Sequence, residues 1–266
     1  MKIKIITKSK IILTITILIS TIFSITKTEQ DVNNLQINLG KKRFKVGLLV
    51  VATGRYINFV EPLINSAKKH FLTNHDVTYF IFTEGQPPKA DNIIKIQQNR
   101  LGWPYDTMMR YEMYYKAKDL LKDMDYLFAS DADMLFVDTV GDEILSDRVA
   151  TLHPLQFGNT GSYDRNKNST ACINNGDGKN YFAGGFNGGS TKEFLRLADT
   201  ITKNIYIDLG KNIIALWHDE SHINRYYVDN EPTKILSSSY CYPEGLNLPY
   251  QQKLLALNKN HAEMRK

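Results

Sequence analysis

The run FKVGLLVVAT at residues 44–53 is apolar at almost every position instead of every second one. A strand with one wet face alternates. A strand buried on both faces does not, and such strands belong mainly to parallel sheets covered by helices. This one run therefore points to an α/β domain. The sequence that follows agrees. Helical spacing runs from Tyr56 to Phe71, with Phe59, Val60, Leu63, Ile64 and Ala67 on one face. DVTYFIFTE (76–84) reads as a second strand, NIIKIQ (92–97) as a third, Met108 to Leu121 as a helix and DYLFAS (125–130) as a fourth strand. Strand and helix alternate, which predicts a mostly parallel central sheet flanked by helices.

Ligands of open α/β sheets bind at the carboxyl ends of strands. The fourth strand pattern ends in Asp131 and Asp133. Alternate residues of an extended segment point to one side, so the two carboxylates would repel unless a cation lay between them. A hard divalent ion with oxygen ligands fits, with a phosphate on its far side. The competing reading is an Asp-rich turn that caps the next element.

Two later segments carry further chemistry. AGGFNGGS (183–190) holds four glycines in eight residues, and a helix start follows, with Ser190 as cap and Glu193 three residues on. A flexible loop is one reading. A sugar pocket walled by backbone is the better one, since the lysine of a phosphate cradle is missing. ALWHDESHINRYY (215–227) gathers Trp217, His218, Asp219, Glu220 and His222. It reads either as a helix start capped by Asp219 or as a sugar site. His218 and His222 stand four apart, but His-Asp-Glu-Ser-His lacks the glutamate position of a zinc protease helix.

At 266 residues the chain is long enough for one large domain or two small ones. The net charge of +5 sits partly at the two ends, and no zinc-finger spacing or RNA-binding signature occurs, so nucleic acid is not expected as a partner. Cys172 and Cys241 are far apart and read as free thiols before they read as a disulfide. Four lysines precede the uncharged run IILTITILISTIFSI at 11–25. Residues 1–25 read as a signal anchor or a cleaved signal peptide, with the remainder lumenal or exported. Residues 26–43 read as a polar stem, and 44–266 as one catalytic domain.

The pieces RYEM, DADM, TLHP, GGFNGG, WHDESH, PTKIL and KNHAEMR, in this order, resemble glycosyltransferase family six, the retaining enzymes that include the ABO blood-group and α1,3-galactosyltransferases. The resemblance runs from about Lys45 to Arg265. It implies a GT-A fold, a UDP-sugar donor (UDP-N-acetylgalactosamine or UDP-galactose) and a divalent metal, usually manganese. It also implies α1,3 transfer to a galactose-terminated glycan or glycolipid, and a membrane link through the N-terminal segment, in the Golgi if the source is eukaryotic. Carried over by position, Ala52 and Tyr56 line the uridine and ribose site and Arg110 contacts the donor. Asp131 and Asp133 hold the metal, and Asp219 binds the donor sugar. Ala183, Gly184 and Gly185 wall that sugar, and glycine at the third position goes with the N-acetyl donor. His153 and Trp217 sit on the acceptor. Glu220 lies beneath the anomeric carbon, and Lys259 and Arg265 fold over the diphosphate from the tail. Keeping both aspartates resembles the metal-dependent branch. Tyr242-Pro243 replaces a Trp-Asp pair of vertebrate members, with Glu244 nearby as a substitute acid.

Two other functions are open to such a chain. One is a sugar-binding, lectin-like protein on an inactive transferase fold. The other is a UDP-sugar hydrolase. The presence of Glu220 with both aspartates argues against the first, and the acceptor-side His153 and Trp217 argue against the second.

Overall fold

The strand predicted at residues 44–53 lies inside the main sheet, with a strand on either side. In the structure, a computed structural model that describes residues 42–155 and 161–264, it is β1 (Lys45–Val51). Its neighbours β2 (Asp76–Thr83) and β4 (Tyr126–Asp131) both run parallel to it, and β3 (Ile93–Gln97) continues the parallel set beyond β2. Leu48 and Val50 enter one core cluster and Leu49 the other. Both faces are therefore buried, as the absence of alternation required. On the first face lies α1 (Ile57–His70), which presents Val60, Leu63, Ile64 and Ala67 at helical spacing.

The sheet has seven strands in the order β3-β2-β1-β4-β7-β6-β8. β7 (Phe182–Ser190) runs antiparallel to both β4 and β6 (Arg148–Leu152), and β8 (Lys234–Leu236) lies parallel to β6. The sheet is thus mixed, parallel on one side and reversed at β7. Its second face is covered by α3 (Arg110–Lys116), α5 (Thr191–Leu209) and α6 (Asp219–Asp229) through Tyr111, Tyr114, Phe194, Leu197, Ile201 and Ile223. A smaller sheet, β5-β10-β9, joins β5 (Met134–Phe136) to β9 (Tyr242–Pro243) and β10 (Leu254–Ala256) near the C-terminus. The residues from Phe44 onward form one compact unit. The N-terminal segment 1–25, the stem up to residue 41 and Arg265 lie outside the described residues.

Four expectations are corrected. The glycine-rich stretch is not a loop but the buried strand β7. Its glycines permit close strand approach: a Cβ on Gly188 would stand 2.3 Å from the Phe128 ring and 2.5 Å from the Leu127 carbonyl. The helix expected over 108–121 is three short ones, α2 (Tyr105–Met108), α3 and α4 (Lys118–Leu121), with Met109 and Ala117 at ψ near zero between them. Asp131 and Asp133 do not share an extended segment. Asp131 ends β4, and the chain turns through Ala132 and Asp133 before β5 leaves for the smaller sheet. Asp219 does not cap α6. His218 holds the cap position at φ +53°, and Asp219 is the first helical residue. Ser190 precedes α5 without a side-chain capping bond, and Glu193 pairs with Arg148 at 3.0 Å.

Candidate active site

A cleft of about 250 Å³ opens where the carboxyl ends of β1 and β4 meet β7 and the start of α6. Val51 and Thr53 come from the end of β1, Asp131 to Asp133 from the end of β4, Gly184 and Gly185 from β7 where its register with β6 shifts, and Asp219 and Glu220 from α6. The reversal at β7 is what brings the last four opposite the first five. Arg110, at the start of α3, ties these elements together. Its Nε donates to Asp219 at 2.5 Å, one terminal nitrogen to Asp131 at 2.5 Å and the other to the Gly184 carbonyl at 2.8 Å. A Cβ on Gly184 would stand 2.7 Å from that guanidinium nitrogen, so a side chain here would push Arg110 off its carbonyl bond.

Burial works against the Arg110 charge, but Asp219 and Asp131 outweigh it and hold the guanidinium ionised. Burial, offset only in part by Arg110, pushes the Asp219 carboxyl up to about 7. Glu220 has no charged hydrogen-bond partner. The Tyr181 hydroxyl donates to its Oε1 at 2.7 Å and the Gly184 N–H to its Oε2 at 2.8 Å. Its carboxyl is raised by burial and lowered in part by those two bonds and by Arg110. On the β4 side, Asp133 is raised by burial and by Asp131, against Lys259, whose ammonium bonds it. The same ammonium lies 5.8 Å from the centre of the Tyr56 ring.

Among the described residues, no group of three or more His, Cys, Asp or Glu side chains could hold a metal ion. Asp131 and Asp133 are hard oxygen donors on one wall, close enough that each raises the charge problem of the other. They fit a divalent cation that takes its remaining ligands from a bound diphosphate and water.

A family model described as Glycosyltransferase family 6 matches residues 2–266. The chain belongs to glycosyltransferase family 6. This family 6 transferase is 33% identical over 252 residues to histo-blood group ABO system transferase 1 of Rattus norvegicus, which covers 88% of the chain and 72% of that relative. It is 31% identical over 237 residues to globoside α-1,3-N-acetylgalactosaminyltransferase 1 of Gallus gallus (83% and 69%). It is also 29% identical over 223 residues to the O-antigen biosynthesis glycosyltransferase WbnI of Escherichia coli (80% and 94%).

Most of the residues singled out in the sequence meet in the cleft. Tyr56, Arg110, Asp131, Asp133, Gly184, Gly185, Trp217, Asp219, Glu220 and Lys259 all line it. Ala52 does not. It is fully buried between Val51 and Thr53, which do. Ala183 is buried beside the lining glycines. His153 stands outside the cleft lining. It edges the Tyr181 ring at 5.5 Å, and burial lowers its imidazole. Glu244 accepts the Asn258 N–H at 2.8 Å and so braces the approach to the tail. Both cysteines are free.

Sequence reasoning missed Trp103, Asp106, Thr107 and His261 on the cleft wall, and Tyr181 behind it. Trp103 carried a signal. It is one of only two tryptophans, and both are about half exposed on the same cleft. Asp106 fixes the turn before Trp103 by accepting the Leu101 and Gly102 N–H groups.

Proposed function

We propose that this transferase moves N-acetylgalactosamine from its UDP-sugar, with retained α configuration, to the 3-position of a galactose-terminated glycan or glycolipid. The observation that carries the reading is the cleft in which Arg110 joins Asp131 to Asp219 while Glu220, next to Asp219, lines the same space. One carboxylate pair suits the diphosphate end of a nucleotide-sugar, and the other suits the sugar end. The uridine fits against Val51, Thr53 and Tyr56 at the end of β1. Galactose is the second donor considered; Gly185, which adds no side chain to the cleft wall, favours the bulkier N-acetyl sugar.

Asp131 and Asp133 would hold a divalent cation, normally manganese, which when bound supplies positive charge to the diphosphate. Lys259, with Arg265 further along the tail, offers the departing nucleotide two more cations. In transfer, the bond between the anomeric carbon and the phosphate oxygen breaks and a bond to the acceptor oxygen forms. The acceptor's proton leaves with the phosphate in same-face transfer. Two roles suit Glu220: nucleophile for a covalent intermediate, or stabiliser of an oxocarbenium-like ion. Its neutral hydrogen-bond donors leave its negative charge uncancelled for either. Trp217, about half exposed at the cleft mouth, offers a flat apolar face to the acceptor sugar. The N-terminal residues 1–25 serve as anchor or signal, with the catalytic domain on the far side of the membrane. Extraction of membranes with alkaline carbonate separates an anchored from a released chain.

The test is incubation with UDP-N-acetylgalactosamine, UDP-galactose and other UDP-sugars, with galactosides and manganese, and with the product linkage read by NMR. An α1,3-linked N-acetylgalactosaminyl product is expected. Hydrolysis of the donor without transfer, or sugar binding without turnover, would replace this reading with one of the two set aside above.

A further inference from the structure

Tyr181 is 3% exposed and lies outside the cleft lining, yet its hydroxyl bonds the carboxylate of Glu220, which lines it. The ring is gripped from two sides, by Tyr163 at 5.4 Å and His153 at 5.5 Å. Its backbone is held as well. The His153 N–H donates to the Tyr181 carbonyl at 3.0 Å, and the Tyr163 hydroxyl donates to the neighbouring Asn180 carbonyl at 2.6 Å. A glutamate side chain held by one donor can still turn its carboxylate plane. Two donors on different oxygens fix that plane, and Glu220 has two, Tyr181 on Oε1 and Gly184 on Oε2. Both are neutral, so they orient the carboxylate without cancelling its charge as a guanidinium would.

We propose that Tyr181 is a positioning residue, which holds the Glu220 carboxylate in its working orientation from behind the cleft and links it to the acceptor-side His153. The proposal rests on the reading of Glu220 as the catalytic group. A displacement of about 1 Å in a reacting group lowers turnover by about 10²-fold. Binding groups for donor and acceptor stand elsewhere in the cleft, so their affinities do not depend on this hydroxyl.

The experiment is Tyr181→Phe, which keeps the ring and its packing, measured alone and combined with Glu220→Gln. The expected result is a fall in kcat of about 10- to 100-fold, with KM for donor and acceptor within about twofold and the melting temperature little changed. In the Glu220→Gln background, read by single turnover with radiolabelled donor, Tyr181→Phe should add nothing. Normal turnover in Tyr181→Phe, or an equal further loss on top of Glu220→Gln, would overturn the proposal. Normal turnover in Glu220→Gln itself would instead remove the reading of Glu220 on which it rests.

Discussion

The cleft holds two pairs of acids, and they are kept in opposite ways. Asp131 and Asp133, at the end of β4, are matched by full cations on long side chains, Arg110 and Lys259. Asp219 and Glu220, on the first turn of α6, stand farther inside. Asp219 shares Arg110, and Glu220 is held by a phenol and a backbone amide. A charge matched by a flexible lysine can exchange that partner for a metal ion and phosphate. A charge held by neutral, rigid donors stays available to a developing positive sugar. On the proposed function, the first pair serves a ligand that comes and goes, and Glu220 serves the chemistry.

The sharpest way to break this contrast is Glu220→Gln, which keeps shape and removes charge. Turnover should fall about 10³-fold while UDP affinity, read by calorimetry, stays within about twofold. A parallel loss of UDP affinity would merge the two pairs into one binding site. Asp133→Asn tests the other side. It should lower turnover by about 10²-fold and weaken manganese binding, read by the paramagnetic resonance signal of the free ion. A wild type fully active in chelator would show that this pair does not serve a metal.

Arg110 joins the pairs, so Arg110→Lys asks how far they depend on one another. An ammonium cannot span Asp131, Asp219 and the Gly184 carbonyl together. Stability in urea should drop by about 3 kcal/mol, the range for a broken buried ion pair, along with donor affinity. Deleting residues 259–266 leaves the inner pair intact. It should lower turnover about tenfold and weaken UDP binding while acceptor KM holds. Unchanged rates and unchanged UDP affinity would make the tail a solvated end. The smallest effect expected is in donor choice. In Gly185→Ala the new methyl would stand 3.2 Å from the Cys241 sulfur and 3.4 Å from an Asp131 oxygen. Relative kcat/KM should shift toward galactose by ~1–3 kcal/mol. A shift toward the N-acetyl sugar would reverse the reading of the pocket floor.

Much of the fold could be read locally. β1, β2 and β4 came from uninterrupted apolar runs, and α1 from its 3.6-residue spacing, because burial on two faces or one leaves its mark within ten residues. β7 left no such mark. Its glycines serve close approach to β4 and β6, and glycine-rich composition reads the same in a loop as in a strand pressed between neighbours. The breaks at Met109 and Ala117 were equally hidden, since the periodicity continues across them while the backbone does not.

The site divides along the same line. The carboxylates could be picked out one by one, since paired acids at a strand end or a helix start are rare enough to notice. Their division of labour could not. Arg110 lies 109 residues from Asp219 and 74 from Gly184, and Tyr181 lies 39 from Glu220. By itself the sequence determined the α/β class, the strands that carry the acids, and the acids themselves, because these follow from side-chain type and short-range pattern. Only the tertiary structure decided that β7 runs backward through the sheet, that one arginine serves both pairs, and that a buried tyrosine bonds Glu220. Each of those depends on which distant segments meet once the core closes, and the directions of hydrogen bonds are fixed only then.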